Sequence, residues 1–262
     1  MLIFPAVLSH LSEIGRCGWV VISLTVDSLF LIVTMTPTDV TQWLINAASA
    51  ANRSMGFMMW NSFLALIPFV LSLWLFRSQG SGYRRPTWWI GFAVFMAFLP
   101  NSPYVLTDII HLVGFIQEGA ELWTVVLILV PQYLIFMLIG TEAYVASLVN
   151  LGLYLRKHGF GRWVLTVELV IHALCGIGIY LGRFPRFNSW DIITGPHRLF
   201  VHLAQALIDP WSLTVMLVTF VVIAAVYWPL KQVTLALMLY ARSDVRSLGL
   251  PSLGYSLKSD AG

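Results

Sequence analysis

The chain has 262 residues, of which 58% are hydrophobic and only 10% are charged. Its mean hydropathy is +0.82. Soluble domains carry about 25% charged residues, so a soluble chain of this composition would have too few polar groups to cover its surface. The formal charge of +3 arises from basic residues in short blocks between apolar stretches, with no basic stripe, which argues against nucleic acid as a partner. The composition therefore predicts a protein that crosses a lipid bilayer several times.

Six apolar stretches approach the roughly 20 residues that a helix needs to cross the hydrocarbon core of a bilayer. They are 18–36, 57–76, 87–99, 122–141, 163–182 and 211–230. The third is short unless the chain around Pro100 continues it as a bent or partly inserted segment. The helix after Leu122 is expected to run as far as Leu155 and to bend at Pro131 and Gly140. The fold predicted is an all-α bundle of about six transmembrane spans.

Basic residues gather in the second and fourth loops and after the last span, whereas the third loop is acidic. The basic residues are Arg77, Arg84, Arg85, Arg156, Lys157, Arg162, Lys231, Arg242, Arg246 and Lys258, with Arg16 before the first span, and the acidic ones are Asp108, Glu118 and Glu121. Because cytoplasmic loops of membrane proteins carry the excess of Lys and Arg, this pattern predicts that both termini are cytoplasmic. The loops 37–56, 100–121 and 183–210 are then expected to face outward.

The chain divides into three predicted regions. Residues 1–56 are expected to hold an N-terminal anchor span and an outward loop, and 57–242 the main transmembrane domain. The tail 243–262, which is rich in Ser, Gly and Pro, is predicted to be disordered. Cys17 and Cys175 fall in different parts of this topology, so that neither a disulfide nor a metal motif is expected from them.

The first concentration of polar chemistry lies where the third span ends. If a helix begins at Pro103, then Tyr104, Asp108 and His111 lie on one stripe of that helix. A carboxylate and an imidazole three residues apart can share a metal ion or relay a proton. The alternative is that Asp108 pairs with an arginine and that His111 merely packs or caps. The sequence names neither a metal nor a cofactor.

The second concentration follows the fifth span, on the face predicted to hold Asp108. It contains Arg183, Arg186, Asn188 and Asp191. Arginine presents a planar pair of donors that suits an anionic headgroup, although one of these arginines could equally bridge Asp108.

Asn61, near the outward end of the second span, is placed to hydrogen-bond into the same group, and Pro68 is expected to kink that span. The glycines Gly176, Gly178 and Gly182 are expected to let another helix approach the fifth span closely.

Three ionisable residues fall within predicted spans, namely Asp27, Glu168 and His172. Charged groups near the middle of a bilayer are costly and are therefore candidates for function. A proton path through them is one interpretation. A neutral, hydrogen-bonded histidine inside the bundle is the other.

Three motifs resemble the bacterial membrane-protein family catalogued as domain of unknown function 1361. They are FLPNSPY at 98–104 with the following Thr107, Asp108 and His111, YLGRF at 180–184 with NSWD at 188–191, and WN at 60–61 with FLA at 63–65. The resemblance covers about 50–240; Ser102, where alanine is common in the family, and Pro185 are departures. It implies a multi-pass protein of the bacterial cytoplasmic membrane and supplies no activity. Asp27 gains no support from it.

These observations lead to a hypothesis of one outward-facing polar site that binds, or chemically modifies, an anionic amphiphile such as a lipid. Its residues are Asn61, Asn101, Tyr104, Asp108, His111, Arg183, Arg186, Asn188 and Asp191. Asp108 and His111 would supply acid–base or metal chemistry, and Arg183 and Arg186 would hold the anion. The alternatives are a proton-coupled transporter that uses Asp27, Glu168 and His172, and a non-catalytic scaffold or assembly subunit. The sequence leaves the oligomeric state open.

Overall fold

The computed structural model describes residues 37–77 and 85–247, and all regular secondary structure in these ranges is helical. The helices are α1 (Pro37–Arg77), α2 (Pro86–Phe98), α3 (Asn101–Tyr104), α4 (Ile109–Gln117), α5 (Leu122–Thr124), α6 (Val130–Lys157), α7 (Val164–Arg183), α8 (Asp191–Thr194), α9 (Pro196–Ala206) and α10 (Pro210–Ser247). Two 3₁₀ turns, Val105–Asp108 and Gly161–Trp163, and one π-helical turn, Val125–Leu129, connect some of them. The all-α prediction is confirmed.

Five helical stretches of the described chain are long and apolar enough to cross a membrane. They are Thr38–Arg77, Pro86–Gln117, Leu122–Lys157, Gly161–Arg183 and Pro210–Ala241. They contain the last five of the six spans predicted from the sequence, which supports a multi-pass membrane protein. The predicted first span, 18–36, with Asp27, and the preceding Cys17 lie outside the described residues.

The distribution of side chains over these helices is that of a protein in lipid. Large apolar side chains such as Val70, Leu138 and Leu217 are exposed, whereas the polar side chains of Ser147 and Asn150 are buried. Lipid tails solvate apolar side chains but cannot hydrogen-bond, so polar groups are placed where they can find protein partners. The outer faces of the helices therefore fit the hydrocarbon of a bilayer.

Residues 37–56, expected as an outward loop, belong instead to the long helix α1. A helix of this length extends over about 60 Å, twice the thickness of the hydrocarbon core. Between Pro37 and Gly56 the chain has no glycine or proline, and so nothing in this polar stretch ends the helix. The polar composition of residues 37–56 therefore did not indicate a loop.

The third predicted span continues past Pro100, and its α-helix is interrupted there. α2 ends at Phe98, and the chain continues through α3 and the 3₁₀ turn Val105–Asp108 into α4. Pro100 and Pro103 lack the backbone N–H that an unbroken helix requires. The helical turn begins at Asn101, two residues earlier than the start expected at Pro103. This broken segment carries the first polar motif.

The fourth span combines a wide turn with a close helix contact. The π-helical turn Val125–Leu129 directly precedes α6, with Pro131 in the first turn of that helix. Such wide turns accommodate the backbone strain near a proline. Gly140 lies within α6, where an added Cβ would overlap the side chain of Val105. Gly140 therefore makes room for the broken third span. The sequence predicted a bend at this glycine and not this close contact.

Helix α7 is packed closely against two neighbours through its glycines. A Cβ at Gly176 would lie 3.0 Å from the carbonyl oxygen of Met216 in α10, and one at Gly178 would lie 2.9 Å from Pro100. The close approach predicted from the glycine spacing is confirmed. α7 is thus in contact with both the last span and the broken third span.

The start of α10 is capped by the side chain of Asp209. Asp209 accepts hydrogen bonds from the backbone N–H and the hydroxyl of Ser212, at 2.9 and 2.6 Å, and these bonds lower the pKa of its carboxyl. The helix continues through Ser247, so 243–247, expected to begin a disordered tail, are helical. Residues 248–262 lie outside the described part of the chain.

Candidate functional site

Asp108 is the centre of a group of polar side chains from three parts of the chain. Its side chain is 2% exposed. One carboxylate oxygen, Oδ1, accepts a hydrogen bond from Nη2 of Arg183 at 2.9 Å, and the other, Oδ2, accepts one from Nδ2 of Asn61 at 2.8 Å. Arg183 also donates to the hydroxyl of Thr107 at 2.8 Å. The Asp108–Arg183 pair thus joins α1, the broken third span and α7.

The local sequence explains how Arg183 reaches this position. A Cβ at Gly182 would lie 3.4 Å from the ring of Tyr104, so a small residue there lets the tyrosine lie against the end of α7. The guanidinium carbon of Arg183 is 4.8 Å from the centroid of the same ring, within cation–π range. Tyr104 therefore orients the arginine that pairs with Asp108.

His111 lies at the edge of this group. Its Nε2 is 3.9 Å from Oδ1 of Asp108, too long for a hydrogen bond, and its side chain is 46% exposed. The imidazole ring packs on Phe57, with 4.7 Å between the centroids. Among the residues that the structure describes, no three His, Cys, Asp or Glu side chains are grouped so as to hold a metal ion. A metal at Asp108 and His111 would lack a third protein ligand from this part of the chain.

The residues of the second polar motif make their hydrogen bonds in two different places. Asn101 donates through Nδ2 to the carbonyl of Phe98 at 2.9 Å and to the hydroxyl of Ser189 at 3.0 Å. Asp191 instead accepts hydrogen bonds from the backbone N–H of Asn188 at 2.6 Å and from the hydroxyl of Thr194 at 3.2 Å. Asn101 therefore ties the motifs together, while Asp191 shapes the turn at the start of α8.

Arg186 occupies the turn between these residues. Its backbone has a φ of +61°, in the left-handed region that residues other than glycine rarely adopt. Its side chain is exposed, and the next two residues, Phe187 and Asn188, line a cavity beside the Asp108–Arg183 pair. Strained backbone of this kind tends to occur at functional sites. Arg186 is therefore a cation held near the Asp108–Arg183 pair without belonging to it.

A cavity of about 610 Å³ lies beside the Asp108–Arg183 pair, between α1, α2 and α7. Its polar lining residues are Asn61, Asn101, Tyr104, Asn188 and Ser189. Its apolar lining includes Trp60, Leu64, Ala93, Met96, Ala97, Pro100, Leu174, Ile177, Leu181, Phe187 and Leu199.

The polar lining residues lie at one end of this cavity, where apolar residues accompany them, and the other end is apolar. Along α2 and its continuation the lining passes from Ala93 to Asn101, and along α7 it passes from Leu174 to Gly182. Each interval corresponds to about 12 Å of helix. The amides and the Tyr104 ring belong to one end only, so the cavity has a polar end and an apolar end.

The structure thus separates the predicted site residues into groups. Asn61, Asn101, Tyr104 and Asn188 line the cavity, while Asp108 and Arg183 contact two of these lining residues from behind. The remaining three do not line it: His111 packs on Phe57, Arg186 is exposed in its turn, and Asp191 bonds within its own turn.

Sequence reasoning missed the apolar half of the cavity. Ala93 and Ala97, four residues apart in a stretch otherwise rich in aromatic side chains, lie on one face of α2. That pair of small residues was the available signal. Ser189 was also overlooked as a lining residue.

A second buried ion pair joins α7 to α10. Nζ of Lys231 lies 2.6 and 2.7 Å from the two carboxylate oxygens of Glu168, and the hydroxyl of Tyr227 donates to Oε1 at 2.8 Å. A cavity of about 30 Å³ adjoins the pair, with Arg156 in its lining. Lys231, expected to follow the last span, is inside the uninterrupted helix α10.

His172, which the proton-path interpretation links to Glu168, bonds elsewhere. Its Nδ1 is 2.7 Å from the hydroxyl of Tyr144. The ring of Tyr227 packs on it, with 4.6 Å between centroids, while the hydroxyl of Tyr227 bonds Glu168. The described residues give no direct hydrogen bond between His172 and Glu168.

The sequence of the chain matches the model of a known protein family. The family model described as "Protein of unknown function (DUF1361)" matches residues 60–225, a range that holds the Asp108–Arg183 pair and every residue lining the larger cavity. No curated protein and no solved structure matches the chain. The resemblance seen in the three motifs is confirmed, and the chain belongs to this family of multi-helix proteins.

Proposed function

We propose that the protein resides in a bacterial cytoplasmic membrane and binds an anionic amphiphile in the 610 Å³ cavity. The observation that carries this proposal is the separation of the lining into a polar and an apolar end. An amphiphile has the same separation, with a polar headgroup and an apolar chain. The volume lies within the range of about 300–1,000 Å³ that is common for small-molecule sites.

The charge of the ligand is argued from the two arginines. Arg183 has its charge balanced by Asp108 at 2.9 Å. Arg186 has an exposed side chain and directly precedes Phe187 and Asn188, which line the cavity. A guanidinium binds carboxylate or phosphate oxygens in a planar, paired arrangement. Arg186 is therefore proposed to hold the anion, while Arg183 remains paired with Asp108.

The orientation of the site is proposed from the distribution of basic residues. Arg77, Arg85, Arg156 and Lys157 lie at the ends of spans opposite to the polar end of the cavity. Because basic residues favour the cytoplasmic side, the polar end would face outward and the ligand would come from the outer leaflet. His111 does not line the cavity, so we propose binding without a chemical step by Asp108 and His111.

Native mass spectrometry of the detergent-solubilised protein tests this proposal. Phosphatidylglycerol and phosphatidylcholine with identical acyl chains are added in competition. The variant Ala93→Trp fills the apolar end of the cavity, and Ala225→Trp places the same side chain at an equally exposed position on α10. We expect the wild type and Ala225→Trp to retain phosphatidylglycerol in preference, and Ala93→Trp to lose about tenfold in affinity. Equal retention by the two tryptophan variants would contradict the proposal.

A second candidate, proton-coupled transport, is favoured by the Glu168–Lys231 pair within the spans. Ionisable residues inside a membrane protein commonly mark ion or proton pathways. Vesicles that contain the protein and a trapped pH-sensitive dye would report a proton flux. Glu168→Gln should abolish that flux, while Glu142→Gln, which changes a carboxylate that accepts a hydrogen bond from Thr234, should preserve it. No proton flux in the wild type would exclude this candidate.

A further inference from the structure

The polar end of the larger cavity contains two amides whose orientation is fixed by their partners. Nδ2 of Asn61 donates to the carboxylate of Asp108, and Nδ2 of Asn101 donates to the carbonyl of Phe98. An amide oxygen in either position would face another acceptor, so neither amide can be turned around. The oxygen Oδ1 of each asparagine is therefore directed away from these partners, and among the described residues no donor is bonded to it.

These oxygens belong to residues that line the cavity, so a hydrogen-bond donor on a ligand there can reach them. An amide oxygen accepts hydrogen bonds and donates none. A phosphodiester or carboxylate group offers only acceptors, so the anion bound by Arg186 cannot satisfy Asn61 and Asn101. A hydroxyl group can both donate and accept, so it can bond these amide oxygens. The neutral side chains of Asn188 and Tyr104, which share this end of the cavity, can also bond a hydroxyl group.

An ammonium group is the other possible donor, and the charges nearby argue against it. The carboxylate of Asp108 is balanced by Arg183, and that of Asp191 is used by the Asn188 backbone and Thr194. Arg186 adds an uncompensated positive charge. A cationic headgroup at this end of the cavity would be repelled by the nearby Arg186, and no carboxylate among the described lining residues would balance it.

We infer that the headgroup of the ligand combines an anionic group, held by Arg186, with hydroxyl groups bound by Asn61, Asn101 and Asn188. The chemical class is an anionic lipid with a polyol headgroup, such as a glycerol or a sugar joined through a phosphodiester. This inference rests on the proposed function and adds the selection of the headgroup to it.

Three lipids with identical acyl chains test this selection by native mass spectrometry. Phosphatidylglycerol has the anion and hydroxyls, phosphatidylethanol has the anion without a hydroxyl, and phosphatidylethanolamine has an ammonium group. We expect phosphatidylglycerol to bind about tenfold more tightly than phosphatidylethanol, because only the former has hydroxyl groups that donate hydrogen bonds to the amide oxygens. Phosphatidylethanolamine should bind most weakly.

Two kinds of variant separate the hydroxyl contacts from the anion contact. Asn101→Ala should bring phosphatidylglycerol down to the affinity of phosphatidylethanol. Asn188→Ala does the same in part and keeps the test valid if Asn101→Ala fails to fold, since the exposed Asn188 side chain bonds no other described side chain. Arg186→Gln should weaken both anionic lipids by the same factor and leave their ratio unchanged.

The outcomes distinguish this inference from the proposed function. Equal binding of phosphatidylglycerol and phosphatidylethanol, both lost in Ala93→Trp, would overturn the headgroup selection and leave the cavity as an amphiphile site. A preference for phosphatidylethanolamine would also overturn it, by assigning the donor to an ammonium group. If Ala93→Trp and Ala225→Trp retain lipid equally, both the function and the inference are wrong.

Discussion

Two buried ion pairs share helix α7 and differ in the space beside them. The Asp108–Arg183 pair lies behind a cavity of about 610 Å³, and the Glu168–Lys231 pair adjoins one of about 30 Å³. Their residues on α7 are separated by about 22 Å of helix. Both oxygens of each carboxylate accept a hydrogen bond, so both buried charges have partners. The pair that has room for a ligand is the better candidate for function.

The cations also differ in how they are held. Arg183 lies over Tyr104 and bonds both Thr107 and Asp108. Lys231 bonds Glu168 and lies 5.3 Å from the ring centroid of Tyr227. A lysine on a flexible stem can redirect its ammonium group towards the membrane surface, whereas a stacked, multiply bonded arginine cannot. The first pair is therefore the more rigid of the two.

The largest expected effect is the loss of stability in Asp108→Ala. This change leaves Arg183 and the Asn61 amide without their acceptor, and removal of one partner of a buried pair costs about 3–5 kcal/mol. Thermal unfolding in detergent measures it. The scaffold hypothesis predicts that the exchange Asp108→Arg with Arg183→Asp restores both stability and lipid retention. Restored stability with lipid retention still lost would argue for a site in place of a scaffold.

Leucine placed in each cavity should give opposite results. Gly152 lines the small cavity, and even a Cβ there would lie 3.3 Å from Val164. We expect Gly152→Leu to lower the free energy of unfolding by about 2 kcal/mol through overpacking. Ala97→Leu at the larger cavity should not lower it, because the side chain has room. Similar destabilisation by both would show that the larger cavity is not open.

Glu168→Gln should have a smaller effect on stability than Asp108→Ala. The amide keeps the hydrogen bond from Tyr227, and Lys231 can turn towards the membrane surface, so we expect a loss of about 1 kcal/mol. The same unfolding assay, run beside Glu142→Gln, gives the comparison. A loss equal to that of Asp108→Ala would mean that the two pairs are equally rigid.

The smallest effect is expected for His111→Ala. The side chain is half-exposed, packs on Phe57 and stands 3.9 Å from Asp108. We expect a change of less than about 0.5 kcal/mol in unfolding and no change in bound lipid. Elemental analysis of the purified protein would be run on the same samples. A metal present in the wild type and lost in this variant would restore His111 to the site.

Much of the candidate site follows from local sequence because its motifs lie at the ends of spans. Topology alone brings Asp108, Arg183 and Asn61 to one level of the membrane, and the arginine bridge weighed from the sequence is the contact found. The cavity is different, since it depends on how far apart three helices lie. No single stretch of sequence encodes that spacing.

Two sequence predictions, the position of Lys231 and the loop at 37–56, were wrong for the same physical reason. In both places a helix continues where hydropathy indicates that the lipid ends. Lys231, shortly after Pro229, resembles the end of a span, yet α10 passes through both and so brings Lys231 to Glu168. The polar residues 37–56 resemble a loop, yet they continue α1. Hydropathy predicts where lipid ends, whereas the helix ends only where capping residues, glycine or proline stop it.

The shared carboxylate of Asp108 has an evolutionary consequence. A change at Asn61 or Arg183 leaves one of its oxygens without a partner, so these three residues are expected to be inherited as a unit throughout the family. Arg186 bonds no carboxylate of the described chain and is free to vary when the ligand varies. Lineages that keep the trio but replace Arg186 would then mark the branches in which the family has turned to a different lipid.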